Sequence, residues 1–279
     1  MEKAPEQIDS HYGRGDVLDS ILRALRESGK DVNHLAPADL APVDQFHIRG
    51  REATVELASR ASLKPGLRVL DVGCGLGGSV RYLASQYQCQ VTGIDLTKEY
   101  VDTATDLADR VGLKQGVEFR HCSALDMPFD DGWFDVVWTE HVQMNIADKH
   151  AFYAEIARVL APGGRLLFHD IFQGGGGPVH FPVPWADDSS ISFLVAPEVA
   201  RDILEELGFS IREWEDKSQL SIDWFVAAVA KMKRSGSPPL GLHLLMGDTA
   251  KMKFENNIRN LREGRIVVVQ AIAECPRKP

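Results

Sequence analysis

The feature that most constrains this chain is the string Val69-Leu70-Asp71-Val72-Gly73-Cys74-Gly75-Leu76-Gly77-Gly78. A short apolar run ends in clustered glycines, and a helix pattern over 79–87 follows at once. Glycine adopts backbone conformations closed to other residues and lets a second group approach the main chain. The string therefore predicts strand, tight turn and helix start. The alternation continues, with strands predicted at 68–72, 90–95, 116–122, 134–138 and 165–170 and helices at 98–111 and 149–160. A helix at 197–207, a strand at 209–215 and a last strand at 265–274 follow. Strands alternating with helices of about 10–15 residues build βαβ units, and right-handed crossovers then wind helices onto both faces. The expected fold class is α/β, a doubly wound, mostly parallel seven-stranded sheet of Rossmann-like type.

The remaining length falls outside that pattern. Of 279 residues, 44% are hydrophobic, enough for one large domain with insertions. Residues 1–62 are expected to form an N-terminal helical cover, with Val17, Leu18, Ile21, Leu22 and Leu25 on one stripe and Gly29 as a stop. A proline-punctuated stretch over 35–44 and a helix over 50–61 follow, and the catalytic domain is expected over 63–279. Within it, 171–196 breaks the alternation with four successive glycines, Gly174 to Gly177, among Phe172, Phe181, Trp185 and Phe193. That insert is expected either to gate a pocket as a lid or to be an inert surface loop. Residues 217–264 form a helical insert before the last strand, broken at 235–239, that is expected to cover the pocket or build a homodimer interface.

Composition narrows the partners. The net charge of −9 argues against nucleic acid and against anionic membrane surfaces, since both are bound through lysine and arginine. It is compatible with a small neutral or cationic molecule. The four cysteines show no Cys-x-x-Cys spacing, so no metal site is expected and the thiols suit a reducing cytoplasm. Met1 to Gly15 hold no apolar signal region, and no stretch reaches the roughly 20 apolar residues of a membrane span.

The glycines satisfy G-x-G-x-x-G through Gly73, Gly75 and Gly78, and G-x-G-x-G through Gly73, Gly75 and Gly77. The first pattern is a dinucleotide fingerprint. Asp71 decides against a pyrophosphate, which a neighbouring carboxylate repels. S-adenosylmethionine, with its ammonium and sulfonium, suits Asp71 instead. Asp95 ends the second strand about 20 residues on, where a carboxylate binds ribose hydroxyls in either ligand class.

At this point the chain resembles the class I S-adenosylmethionine-dependent methyltransferases, firmly over about 65–170. The likeness rests on the glycine string, on Gly93-Ile94-Asp95, and on Ser123-Ala124-Leu125-Asp126-Met127-Pro128-Phe129. Phe134-Asp135-Val136-Val137-Trp138 and Leu160-Ala161-Pro162-Gly163-Gly164-Arg165-Leu166 complete it. Within the superfamily it looks most like bacterial sarcosine/dimethylglycine-type N-methyltransferases, through Asp44-Gln45-Phe46-His47-Ile48-Arg49-Gly50 and Glu140-His141-Val142-Gln143-Met144-Asn145. The resemblance implies that Asp71, Gly73, Gly75 and Gly77 hold the methionine end, that Asp95 takes the ribose, and that Leu96, Ser123 and Ala124 line the adenine. Many members carry an aspartate where this chain has Ser123. Glu140 to Gln143 would border both cofactor and acceptor, and the product would be S-adenosylhomocysteine.

The acceptor is expected to be a small molecule, foremost an amine nitrogen, which needs only its lone pair. A hydroxyl or carbon acid needs a general base, and the candidates are His141, His169, Asp170 and His180. His47, Gln143, His180 and Trp185 are candidate substrate contacts, Trp185 and Phe181 through their ring faces. Two other functions compete: a nicotinamide-dependent oxidoreductase, which conflicts with Asp71, and an interaction protein that keeps the fold without catalysis. Nucleic-acid methylation is disfavoured, because Thr139-Glu140-His141-Val142 stands where an Asp/Asn-Pro-Pro-aromatic string would be needed.

Overall fold

The computed structural model describes residues 4–236 and 238–276. Ser237, inside the expected break at 235–239, lies outside the described residues, as do 1–3 and 277–279. Five strands are parallel: β1 (Arg68–Val72), β2 (Gln90–Asp95), β3 (Val117–His121), β4 (Phe134–Glu140) and β5 (Leu160–Gln173). β6 (Ser210–Asp216) and β7 (Ile266–Glu274) close one edge, with β7 antiparallel to both β5 and β6. The order is β3-β2-β1-β4-β5-β7-β6, the doubly wound arrangement with its switch point between β1 and β4.

Both faces are covered, so β1 and β4 read as nearly continuous apolar runs. After the N-terminal helices α1 (Ala4–Tyr12), α2 (Val17–Glu27), α3 (Pro37–Asp44) and α4 (Arg51–Arg60), helices α5 (Gly78–Tyr87), α6 (Lys98–Arg110), α7 (Lys149–Val159) and α8 (Pro197–Glu206) return the chain between strands. On one face Leu70, Val72 and Val137 pack with Phe152, Ile156 and Val159 of α7. On the other, Val69, Val91, Val136 and Trp138 pack with Val80 and Leu83 of α5 and with Leu57. Burying each such side chain contributes about 1.5–3 kcal/mol, which anchors the strand ends that carry the site.

The N-terminal cover has more helix than the sequence predicts. Val17–Glu27 forms the expected amphipathic helix, burying Val17, Ile21, Leu22 and Leu25. Arg51–Arg60 forms the second. Two further helices are present, Ala4–Tyr12 and Pro37–Asp44. The latter holds two prolines, but Pro37 sits in the first turn, where a missing N–H loses no bond. The helical insert comprises Ser218–Ser235, His243–Met246 and Ala250–Arg262. Among the described residues no helix is long and apolar enough to cross a membrane.

The glycine run does not form a free-standing hinge. β5 continues to Gln173, and the Gly174 and Gly176 N–H groups then donate to the Arg265 and Gly264 carbonyls at 2.8 Å each. A Cβ on Gly174 would lie 2.1 Å from the Gly264 carbonyl oxygen, and one on Gly176 1.9 Å from that of Glu263. The glycines are there because two backbones touch. Trp185 is buried in a cluster with Ile48, Phe225 and Val268.

Candidate active site

A cavity of about 540 Å³ opens at the carboxyl ends of β1, β2 and β4. This is where open α/β sheets bind ligands, and the size suits a small-molecule site. Its floor is the glycine turn. Gly73, Gly75 and Gly77 all take positive φ, at 72°, 54° and 78°, but of the three only Gly73 and Gly75 line the cavity; a Cβ on Gly77 would lie 2.6 Å from the Phe119 ring. A Cβ on Gly75 would meet nothing within 4 Å, so the main chain there is open to a ligand. Gly78 has a different reason. Its Cβ would fall 2.5 Å from the Asp44 carbonyl oxygen, because Pro37–Asp44 seats directly on the start of α5. The third glycine of the dinucleotide-like pattern is thus a packing glycine. Asp44 also pairs with the buried Arg81 guanidinium, locking the cover onto α5.

Asp71 is 2% exposed, and its Oδ2 has no hydrogen-bond partner. Burial first, then the Glu140 and Asp95 charges, push its carboxyl well above the usual range. Such a group is costly unless a cation meets it. Asp95 is oriented by the chain itself: its Oδ2 accepts the Gly75 N–H at 2.9 Å and its Oδ1 the Thr97 N–H at 2.8 Å. Each oxygen keeps a lone pair for a hydroxyl donor. Leu96, Ser123 and Ala124 line the same wall, and the Ser123 hydroxyl accepts the Leu125 N–H.

Glu140, buried at the end of β4, holds the two sides together. Thr54 Oγ lies 3.0 and 3.1 Å from its carboxylate oxygens, Ser79 Oγ donates at 2.5 Å, and Trp138 Nε1 donates at 2.9 Å. His47 Nε2 stands 3.5 Å away. The expected cofactor contact is therefore a saturated junction between Arg51–Arg60, α5 and β4.

Next in the chain, His141 has φ 56°, a left-handed conformation that costs a side chain about 1–2 kcal/mol. Its N–H donates to the His169 carbonyl at 3.0 Å, and its Nε2 accepts the Ile48 N–H at 3.4 Å. Burial, then His169 and His47, hold its pKa well below the usual value, so the ring is neutral. His47 and His141 both line the cavity, with ring centroids 5.9 Å apart.

Several expected site residues do not line this cavity. His169 is 0% exposed, stacked 5.5 Å from His141, with Nε2 3.1 Å from the Ile48 carbonyl. Asp170 accepts the Val142, Gln143 and Ile171 N–H groups at 3.0, 3.1 and 2.8 Å. It shapes the loop after β4, and burial pushes its carboxyl up to about 6. Both assignments as general bases are corrected, because β5 runs on to Gln173 and leaves them inside the strand. Gln143 is buried and donates to the Ile171 carbonyl. His180 lies 2.9 Å from Glu263 at the surface, which removes it from substrate contact. Trp185 donates to Ser192 and borders a second, smaller cavity.

Within the expected N-terminal cover, the helix Ala4–Tyr12 is unforeseen. Ala4–Tyr12 lies over the cavity through Pro5, Gln7, Ile8 and Tyr12. The Tyr12 hydroxyl donates to Asn145 Oδ1 at 2.9 Å. Only Ser190 and Phe193 reach in from the 171–196 insert, and Leu245 from His243–Met246. The signal for Tyr12 was weak, since the other apolar side chains reaching in from its helix are Pro5 and Ile8 alone. The lining contains the carboxylates Asp44, Asp71, Asp95, Glu140 and Asp148 and, among the described residues, no lysine or arginine. Nor do the described residues hold a cluster able to bind a metal ion.

Comparisons with known proteins match this geometry. Residues 70–168 match the family model described as a methyltransferase domain. The tocopherol O-methyltransferase of Arabidopsis thaliana is 45% identical over 100 residues, 36% of this chain and 29% of that protein. The sarcosine/dimethylglycine N-methyltransferase of Halorhodospira halochloris is 33% identical over 165 residues, 58% of this chain and 59% of that protein. The chain thus spans less than two thirds of the length of these curated relatives. The solved structure of a geranyl diphosphate C-methyltransferase from Streptomyces coelicolor A3(2) superposes with a TM-score of 0.71 over 98% of this chain and 97% of that one. At 17% identity, that likeness shows a shared fold.

Proposed function

We propose that this chain carries a class I S-adenosylmethionine-dependent methyltransferase domain and transfers a methyl group to a small-molecule acceptor. One observation carries the reading: a buried Asp71 carboxylate with its Oδ2 unpartnered stands beside an open glycine turn. That pair fits a ligand bearing an ammonium group next to a nucleoside. Asp71 and the Gly73–Gly77 backbone would hold the methionine end, Asp95 the ribose, and Leu96, Ser123 and Ala124 the adenine. When bound, S-adenosylmethionine supplies a methyl group already activated by its sulfonium. The chain's own part is to orient the acceptor and exclude water. Pro5, Ile8 and Tyr12 close the cavity from above, and Phe46, Ile146 and Phe193 supply apolar wall.

An amine nitrogen is our first reading for the acceptor. The lining offers carboxylates and the neutral His141 ring, which tolerate a neutral or cationic amine. The acid group of a sarcosine- or dimethylglycine-like acceptor finds no cation there, so we place the substrate among amines without a free carboxylate. His47 and His141 at the wall favour one second reading, O- or C-methylation with His141 accepting the acceptor's proton. The absence of any disulfide joining the cysteines supports a cytoplasmic setting. The test is S-adenosylhomocysteine release from a panel of amines, phenols and carboxylic acids. Turnover of neutral amines with none of carboxylates is expected. Turnover of phenols, lost in His141→Asn, would select the second reading. Tight NAD binding without S-adenosylhomocysteine binding would overturn both.

A further inference from the structure

We propose that the acceptor's apolar end passes between His47 and His141 into a second chamber, where Asn257 takes a hydrogen bond from a donor group on the acceptor. This rests on the methyl-transfer reading and adds the acceptor's shape to it. Tyr12, Phe46, His47 and His141 line both the large cavity and a smaller one of about 30 Å³. The two spaces therefore share a wall, and the histidine pair stands in it. None of the cofactor-side residues Asp71, Gly75 or Asp95 borders the smaller chamber. Its remaining walls come chiefly from the inserted segments, through Trp185, Trp224, Phe225 and Phe254, with Met144 from the turn after β4. The sequence length outside the cofactor core thus converges on one aromatic space beyond the transfer point.

Asn257 is the exception in those walls. It is 2% exposed, and its Oδ1 is buried with no hydrogen-bond partner. Buried polar atoms are satisfied in the great majority of cases, and an orphan lining a cavity marks a place for a ligand donor. The Trp224 indole cannot serve, since its Nε1 donates to Glu52 at 3.3 Å. Aromatic walls with one acceptor and no lysine or arginine fit an alkyl or aryl group ending in a hydroxyl or N–H.

The test uses the full chain saturated with S-adenosylhomocysteine and calorimetric titration with N-methyl-n-alkylamines and 4-n-alkylphenols of rising chain length. Each series is repeated with a terminal hydroxyl. Affinity is expected to rise about fourfold per added methylene over the first few carbons. Phe254→Trp, which fills the chamber, should flatten that rise. Asn257→Leu, close in shape, should keep the rise for plain alkyl chains and weaken the hydroxyl-ended probes about fivefold. Unchanged S-adenosylhomocysteine affinity in both variants shows that each is folded. Affinities that ignore chain length, a rise that survives Phe254→Trp, or hydroxyl probes indifferent to Asn257→Leu would each overturn the proposal. Failure of S-adenosylhomocysteine to bind the unaltered chain would instead overturn the methyl-transfer reading.

Discussion

The two walls of the large cavity are built on opposite principles. The cofactor wall, from Asp71 to Asp95, is strand ends and a glycine turn, with its charge left exposed to whatever binds. Asp71 lacks a partner for one oxygen, and Asp95 is fixed by two backbone N–H groups. The acceptor cover is helices and inserts, and its polar groups are mostly spent on one another. Tyr12 binds Asn145, and Asn145 binds the Trp185 and Ile191 carbonyls. One wall holds electrostatic stress in reserve for a ligand, and the other is a packed lid in which Tyr12 and Asn145 are satisfied internally while Asn257 Oδ1 is left without a partner. A site that binds a constant cofactor and a family-specific acceptor would be expected to divide in this way.

The sharpest way to break the comparison is at its joint. Glu140 is where the walls meet, accepting from Ser79 and Trp138 and bound to Thr54 of the cover. Glu140→Ala leaves three buried donors without an acceptor, at about 1–3 kcal/mol each. Urea unfolding should show a loss of about 3 kcal/mol or more. A loss below about 1 kcal/mol would mean that the walls are held together elsewhere.

Asp71→Asn separates binding from stability. Losing a charge-assisted contact of about 1.5–3 kcal/mol should weaken S-adenosylhomocysteine binding about 10- to 150-fold. The ligand-free protein should become more stable. Folding raises the Asp71 pKa, so the folded state holds that proton more tightly than the unfolded chain does. Its stabilising contribution is complete below the unfolded pKa and is lost as pH rises through the folded one. Asparagine removes that loss at neutral pH, and the melting temperature should rise by about 2–4 °C per kcal/mol relieved. Affinity of the unaltered protein should climb with pH through the raised Asp71 pKa, and the variant's profile should be flat there.

Legibility in the sequence follows the same division. β1 and β2 fall where the sequence predicts them, because short apolar runs bounded by glycine and aspartate leave little freedom. Asp71, Gly75 and Asp95 were identifiable for the same reason. Two helices of the cover were not. Ala4–Tyr12 brings only Ile8 and Tyr12 to the cavity as large apolar side chains, and Pro37–Asp44 looks like a loop by its prolines. His169 and Asp170 were misplaced because the strand end was expected three residues early, and the edge of a sheet is where function is sought. Glu140 lines the cavity as expected, but no local pattern shows that Thr54 and Ser79 will arrive to bond it.

The glycine run tests whether the cover contains a hinge. Gly174→Ala places a methyl group against the Gly264 carbonyl, and the overpacking should cost about 1–3 kcal/mol in thermal or urea unfolding. His180→Ala, at the surface beyond that run, should leave kcat/KM within about twofold, as a surface change away from the site does. A hinged lid predicts the reverse, with a rate change at both positions and little change in stability.

The smallest effect tests the division most finely. Tyr12 lies on the helix that covers the cavity, and burial raises its pKa, so its hydroxyl stays protonated and donates to Asn145. Tyr12→Phe removes that one neutral hydrogen bond and keeps the ring against Phe46 and Tyr100. The loss is about 0.5–1.5 kcal/mol, or about two- to twelvefold in an equilibrium. If Ala4–Tyr12 belongs to the acceptor cover, the change falls on the acceptor's KM while S-adenosylhomocysteine affinity stays put. An equal fall in S-adenosylhomocysteine affinity would show that this helix closes over both ligands, and the boundary between the walls would then run through Tyr12 instead of Glu140.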